Sequence, residues 1–451
     1  MSHNIDPEVI AFYARQTPAA LKACADHFAQ DLLLIHPGNW QVSFPPAIYP
    51  PEHLSNIGQT VQEILALVFS LPDRLFGGDY DALLEAQGLS PDYRHAIRPF
   101  CTPRLLERAR LFARPDALLT QSGFKLVEMN VSPSLGGLGV CDRYLNLWHS
   151  NPLGQQMRQA GIQVQAPPMG ERFGQLLKRH SRRLNVGTPP IMLELLDDPQ
   201  ENPRDNTGWP DFLDISRQSG FEVVTAWPSD VEIRDEGVFA LGHRVDLIYT
   251  DFAYAEQRMH GIDDDFFAAL VKAEQRQQVD LFSVPASCVV YENKANLALL
   301  SNPDHAAVFT DRERQLIQQH IPVTHILSES TMDQVLSERR DWVLKPALGL
   351  CGHEVVIGEQ LTDSQWQAKL VTCLKQDEAF ILQRHIKDLW TYQLPNFEHP
   401  RMVCLGPVIL DGQFAGVFSR EADYEGKAVV VNYARGAFWS SGLERVVHSH
   451  A

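Results

Sequence analysis

The sequence is short of the features that mark secreted, membrane or nucleic-acid-binding chains. Its seven cysteines, at 24, 101, 141, 288, 351, 373 and 404, include no C-x-x-C pair, so neither a disulfide framework nor a cysteine-rich zinc site is expected. The stretch "MSHNIDPEVIAFYARQ" carries early acids and no long apolar run. It reads as neither a secretory signal nor an anchor, so a cytoplasmic location without a membrane partner is the expectation. Lys plus Arg number 39 against 56 Asp plus Glu, a formal charge of -17, which argues against nucleic acid as a partner but leaves room for a local basic pocket. No Gly-Lys-Ser/Thr opens a helix, so a P-loop is excluded. No internal repeat is visible.

What is present is ordinary globular material: 451 residues, 44 % apolar, enough for two or three domains with substantial cores. Helical spacing dominates the first hundred residues, as in "NIGQTVQEILALVFSL", interrupted by the proline-rich "HPGNWQVSFPPAIYPPEH". "ALLTQSGFKLVEMNV" then predicts a β-hairpin centred on Ser122-Gly123. "IMLELL", "GFEVVTAW" and "RVDLIYTDF", with an amphipathic helix after the first, predict a parallel α/β unit. "DWVLKPALGLCGHEVVIGE" and "EAFILQRHI" give three more strands, and "PRMVCLGPVILDGQFAGVFSRE" an antiparallel meander with an Asp-Gly turn. The expected units are 1–185, 186–290 and 291–451.

Two sets of residues carry chemistry. In "FARPD" and "VEMN" lie Arg114, Asp116, Glu128 and Asn130. Glu128 and Asn130 share one face of a strand, and chain reversal brings Asp116 beside them. Three hard oxygen ligands suit Mg²⁺ with substrate phosphates; a buried glutamate bonded to a neighbouring arginine fits the same pattern. In "LKPALGLCGHEVV", Lys345 ends a strand before Gly349 and Gly352, placing an ammonium and backbone N–H groups where phosphate oxygens can sit, or forming an ordinary hairpin. Lys294, in "VVYENKANLALL", falls where a strand is expected to give way to a helix. It is placed for a nucleotide phosphate or for solvent. Arg420 fits a phosphate, a carboxylate or a surface acid equally well.

Together these sets resemble the ATP-grasp ligases, and "RLFARPDALLTQSGFKLVEMNVSPSLGGL" resembles the matching stretch of eukaryotic-type glutathione synthetase. Glutathionylspermidine-synthetase-like proteins share parts of the likeness, which runs from about residue 105 to 390. The resemblance implies an α/β (α+β) fold of ATP-grasp type, circularly permuted, with an inserted parallel α/β substrate domain. ATP and Mg²⁺ are the implied cofactors. Asp116, Glu128 and Asn130 would hold the metal, and Lys294 and Lys345 the phosphates. The turn from Gly349 to Gly352 would form a lid, and "ILQRHI", with Gln383, His385 and Ile386, the strand that meets adenine. Arg114 would stabilise an oxyanion and Arg420 would serve the nucleotide. Ser132 and Ser134, or Asn202 and Asn206 in "DPQENPRDN", are candidate substrate contacts, although a serine turn or a surface loop explains them as well. The chain departs from the family at three places: Gly349 stands where a metal-binding glutamate is expected, Thr250 where an arginine is, and the family's C-terminal Arg-x-Lys segment and alanine- and glycine-rich lid are not recognisable in "VVVNYARGAFWSSG".

The expectation is an ADP-forming ligase joining a small-molecule carboxylate to an amine, with an amino-acid, dipeptide or γ-glutamyl product. A polyamine–peptide or peptide-modifying ligase, a phosphotransferase that stops at a phosphorylated product, and a nucleotide-binding regulator are the rivals. The oligomeric state is open, with a homodimer as one expectation.

Overall fold

The computed structural model describes residues 5–35, 41–181, 189–200, 210–349, 354–426, 431 and 436–447. Asn202, Asn206 and Gly352 lie outside them. The helix His53–Phe76 buries Leu54, Ile57, Val61, Ile64, Leu65, Val68 and Leu71, a single face at three- and four-residue spacing, and stops at Gly77 in the left-handed conformation. Among the described residues no helix is long and apolar enough to cross a membrane.

The expected hairpin forms from β1 (Asp116–Thr120) and β2 (Gly123–Glu128). Its two-residue turn is Gln121-Ser122, one position earlier than the centre read from sequence, because Thr120 pairs with Gly123 and only glycine readily takes the φ of 144° that opens β2. The parallel unit also forms: β3 (Ile191–Leu195), β4 (Glu222–Ala226), β5 (Leu247–Thr250) and β6 (Asp280–Leu281) lie in the order β6-β5-β3-β4, all parallel. The central strands β3 and β5 are buried along nearly their whole length, which is why they read as near-continuous apolar runs.

A third sheet is antiparallel, with β7 (Thr324–Ile326), β8 (Trp342–Pro346), β9 (Val356–Ile357) and β10 (Phe380–Arg384) in the order β7-β10-β8-β9. It packs a small core of its own, in which Trp342, Leu344, Phe380 and Leu382 meet Trp366 and Leu370 of the helix Asp363–Cys373. The meander is β11 (Arg401–Leu410) and β12 (Gln413–Asp423), reversed at Asp411-Gly412 with both residues left-handed, as a two-residue hairpin turn requires. With β13 (Phe438–Ser441) these strands continue the first hairpin in the order β13-β12-β11-β1-β2. Strands from the expected 1–185 and 291–451 units therefore share one sheet, and the third sheet stands apart from it.

One local expectation fails. Residues Pro285–Glu292, "PASCVVYE", are a helix and not a strand, so Lys294 sits between two helices, the second being Ala295–Ser301. Residues 285–291 are all buried, and a short helix apolar all round has the pattern of a buried strand.

Gly137 tests the packing between these layers. Its φ is 110°, and a Cβ there would lie 2.8 Å from Phe418 of β12. Gly137→Ala is expected to lower stability by about 1–3 kcal/mol through strain and overpacking; an unchanged urea midpoint would contradict that packing.

Candidate functional site

The cleft between the first and third sheets collects most of the residues singled out from sequence. Asp116 and Glu128 lie directly opposite each other across the hairpin. Glu128 Oε1 meets Lys294 Nζ at 2.7 Å, and the same ammonium donates to the Gly349 carbonyl at 2.8 Å. Lys345 Nζ, from β8, donates to the Val127 carbonyl at 3.1 Å and to Gln383 Oε1 at 2.8 Å, tying the third sheet to the hairpin. Asp116, Glu128, Lys294, Lys345, Gly349, Gln383, His385 and Ile386 all line this cleft.

Other predicted residues stand just behind it. Arg420 Nη2 meets Asp116 Oδ1 at 2.5 Å and does not reach the cleft lining. Asn130 Nδ2 donates to Asp116 Oδ1 and to the Arg114 carbonyl, both at 3.1 Å. Arg114 donates to the Gly136 carbonyl at 2.5 Å and lies over the Phe418 ring. Ser132 and Ser134 face each other at 3.1 Å, and the Ser134 N–H also goes to the Ser132 hydroxyl, as in a self-contained serine turn.

Electrostatics follows from burial against pairing. Burial raises the Glu128 carboxyl, but Lys294, Lys345 and Arg420 outweigh it and leave it below the ordinary range. Burial lowers the Lys345 ammonium to about 8; Glu128 opposes that fall and Lys294 adds to it. Burial, with Arg420 adding, lowers Arg114 to about 10. Burial and the Asp116 charge push the Cys404 thiol up to about 12, so it is inert.

The residues fit nucleotide and metal in kind. Two buried lysines face an anion-sized space, and two carboxylates with an amide oxygen form the hard donor set of an ion that keeps several waters. Both carboxylates are already engaged by Lys294 and Arg420, so a metal would share them. Among the described residues no group of three or more His, Cys, Asp or Glu side chains is arranged to hold a metal ion.

The sequence reading missed the apolar half of the cleft, formed by Leu118, Val343, Ile357, Leu389, Met402 and Cys404. Leu118 and Cys404 are register partners on adjacent strands. The period-two pattern signalled their strands but not that this face meets a second sheet.

Neither protein-family models nor curated sequences match the chain, whereas solved structures do. A glutathione synthetase-like effector from Globodera pallida, in apo form, superposes with a TM-score of 0.62 at 12 % identity, covering 97 % of this chain and 99 % of that one. The fold is of the ATP-grasp type. A putative γ-glutamylcysteine synthetase from Methylobacillus flagellatus gives a TM-score of 0.41 at 14 % identity over 82 % and 85 % of the two chains, and a D-cycloserine synthetase gives 0.33 at 16 % over 55 % and 74 %. In this ATP-grasp fold the two sheets of the cleft come from the hairpin sheet and the β7–β10 sheet.

Two outcomes test the geometry. Lys294→Met leaves Glu128 without its nearest cation and is expected to cost about 3 kcal/mol, the low end for breaking a buried pair, because Lys345 and Arg420 remain; urea unfolding measures it. Glu128 has its carboxyl lowered on folding, so its stabilisation is complete above the unfolded value of about 4.3 and is lost as pH falls through the lower folded value. The stability gap between wild type and Glu128→Gln should therefore narrow in acid, and a gap independent of pH from 6 to 3 would refute the pairing.

Proposed function

We propose that the protein is an ATP-dependent, ADP-forming ligase that joins a carboxylate to an amine, with Mg²⁺ as the metal. The observation that carries this reading is the convergence of Lys294, on Glu128, and Lys345, on the neighbouring Val127 carbonyl, inside the cleft of an ATP-grasp-type fold. The hairpin precedes both lysines along the chain, the order expected of a permuted member.

Bound ATP supplies the γ-phosphoryl that turns a carboxylate into an acylphosphate open to attack by an amine. The apolar side chains of the cleft offer a slot for adenine beside the C-terminal end of β10, and Lys294 and Lys345 neutralise phosphate charge. Gln383 holds the Lys345 ammonium in place at 2.8 Å. Asp116, Glu128 and Asn130 would hold the metal, with Arg420 orienting Asp116. Arg114 joins the Asn130 backbone on one side to Gly136 on the other. Its Nε is buried without a hydrogen-bond partner.

A second reading, nucleotide binding without ligation, is favoured by one observation. Position 349 has no room for a side chain: a Cβ there would lie 2.5 Å from Pro346. The glutamate expected in this turn is thus absent for a steric reason, and the metal set is smaller by one ligand.

The deciding experiment is ADP release with Mg²⁺ and ATP against amino acids, peptides and amines offered in pairs, with mass detection of products. A pair-dependent signal with a dehydrated adduct supports the ligase. Tight ATP binding with no turnover on any pair supports the regulator. Glu128→Gln should lower metal-dependent turnover about a hundredfold or more with the fold retained. Because Lys345 ionises near 8 in the free protein and is held charged by phosphate, ATP affinity should fall as pH rises above 8. Lys345→Met should bind ATP more weakly and lose that pH dependence; a wild-type affinity flat from pH 7 to 10 would exclude the contact.

A further inference from the structure

The parallel sheet carries carboxylates that its own packing does not use. Glu194 on β3 stands in register with Tyr249 on β5 and Thr225 on β4, so these side chains share one face. Asp251, two residues past Tyr249, continues that face beyond the end of β5, where its N–H donates to the Leu195 carbonyl at 3.0 Å. This is the carboxyl end of a parallel sheet, where open α/β folds take their ligands.

Glu194 is fully buried. Its Oε2 accepts from the Thr225 hydroxyl at 3.1 Å, whereas Oε1 has no hydrogen-bond partner. A buried acceptor without a donor is costly to keep. Asp251 opens into a pocket formed with Tyr249, Phe212 and residues 133 and 135–140, and no lysine or arginine lines it. Burial, then Glu194, Glu256 and Asp197, push the Asp251 carboxyl well above its usual range, and burial pushes Glu194 to about 7 against Thr225 and Arg217. Arg217 lies 3.7 Å from Asp214, and Asp197 lies 3.5 Å from His260. Neither Glu194 nor Asp251 forms a salt bridge with a lysine or arginine lining this pocket.

The lining identifies the missing charge. The rings of Phe212 and Tyr249 pack on each other with centroids 4.3 Å apart, so Asp251 stands among apolar walls. An anionic group would meet two carboxylates. An ammonium matches the carboxylates together with the apolar walls of the pocket. The pocket is tied to the reaction centre, since the Tyr249 hydroxyl donates to the Pro133 carbonyl and Gly136 receives Arg114.

We propose that Asp251, with Glu194 buried behind it, forms a subsite for a non-reacting ammonium group of the substrate, carried either as an α-amino group or at the far end of a diamine. The proposal rests on the ligase reading for its role. The binding it asserts is measurable without turnover.

The test is calorimetric titration of wild type, Glu194→Gln and Asp251→Asn with 1,4-diaminobutane, L-alanine and N-acetyl-L-alanine, in Mg²⁺ and a non-hydrolysable ATP analogue, with the analogue titrated separately. At least one ammonium-bearing probe should bind wild type saturably, and each variant should weaken it about tenfold or more. N-acetyl-L-alanine should not bind. Affinity for the analogue should be the same in all three proteins, which also reports that the variants are folded. Saturation by diaminobutane assigns the far amine of a diamine, and saturation by L-alanine the α-amino group. Absence of binding by both, equal binding by N-acetyl-L-alanine, or unchanged affinity in both variants overturns the subsite. Failure of the analogue to bind wild type counts against the ligase reading instead, and the amine titration then still decides the subsite.

Discussion

The ion pair between Glu128 and Lys294, closed at 2.7 Å, is the constraint on which the cleft depends. A carboxylate inside a protein must be paired, and each cation brought to it must in turn be satisfied. Lys294 therefore reaches both Glu128 and the Gly349 carbonyl, and Lys345 reaches both Val127 and Gln383. The Lys345–Val127 bond crosses from the third sheet to the hairpin sheet, and Lys294 links the hairpin to the turn after β8. They hold the two apart at a fixed spacing while leaving the lysines on the surface of the space between.

Asp116 shows the same logic one layer deeper. It is claimed by Arg420 and Asn130, so the meander strand β12 fixes this carboxylate from behind. Arg420 was read as open between phosphate and carboxylate, and the fold places it on the carboxylate. The polar wall of the cleft is thus built from buried pairs, whereas its other wall is apolar. That division suits a ligand with a charged end and a flat apolar end.

Much of the architecture was legible because strand and helix periods differ and turns have their own chemistry. The hairpin, the parallel unit and the Asp411-Gly412 reversal each carried a local signature. Helix 285–292 did not: buried on all sides, it has no polar face to reveal its period. The sharing of one sheet by residues 116–128 and 401–441 was also hidden, since strand pairing across nearly three hundred residues leaves no mark in either segment.

By itself the sequence determined which acids and bases would matter around the hairpin and the "LKP" strand, because an isolated carboxylate, amide or lysine in an apolar strand requires a partner wherever the chain goes. Only the tertiary structure decided which partner. It gave Lys294 to Glu128, Arg420 to Asp116 and Gln383 to Lys345, and it left Glu194 Oε1 with none. The physical reason is that burial makes pairing compulsory from local pattern alone, while the identity of the pair depends on contacts between segments far apart in the chain.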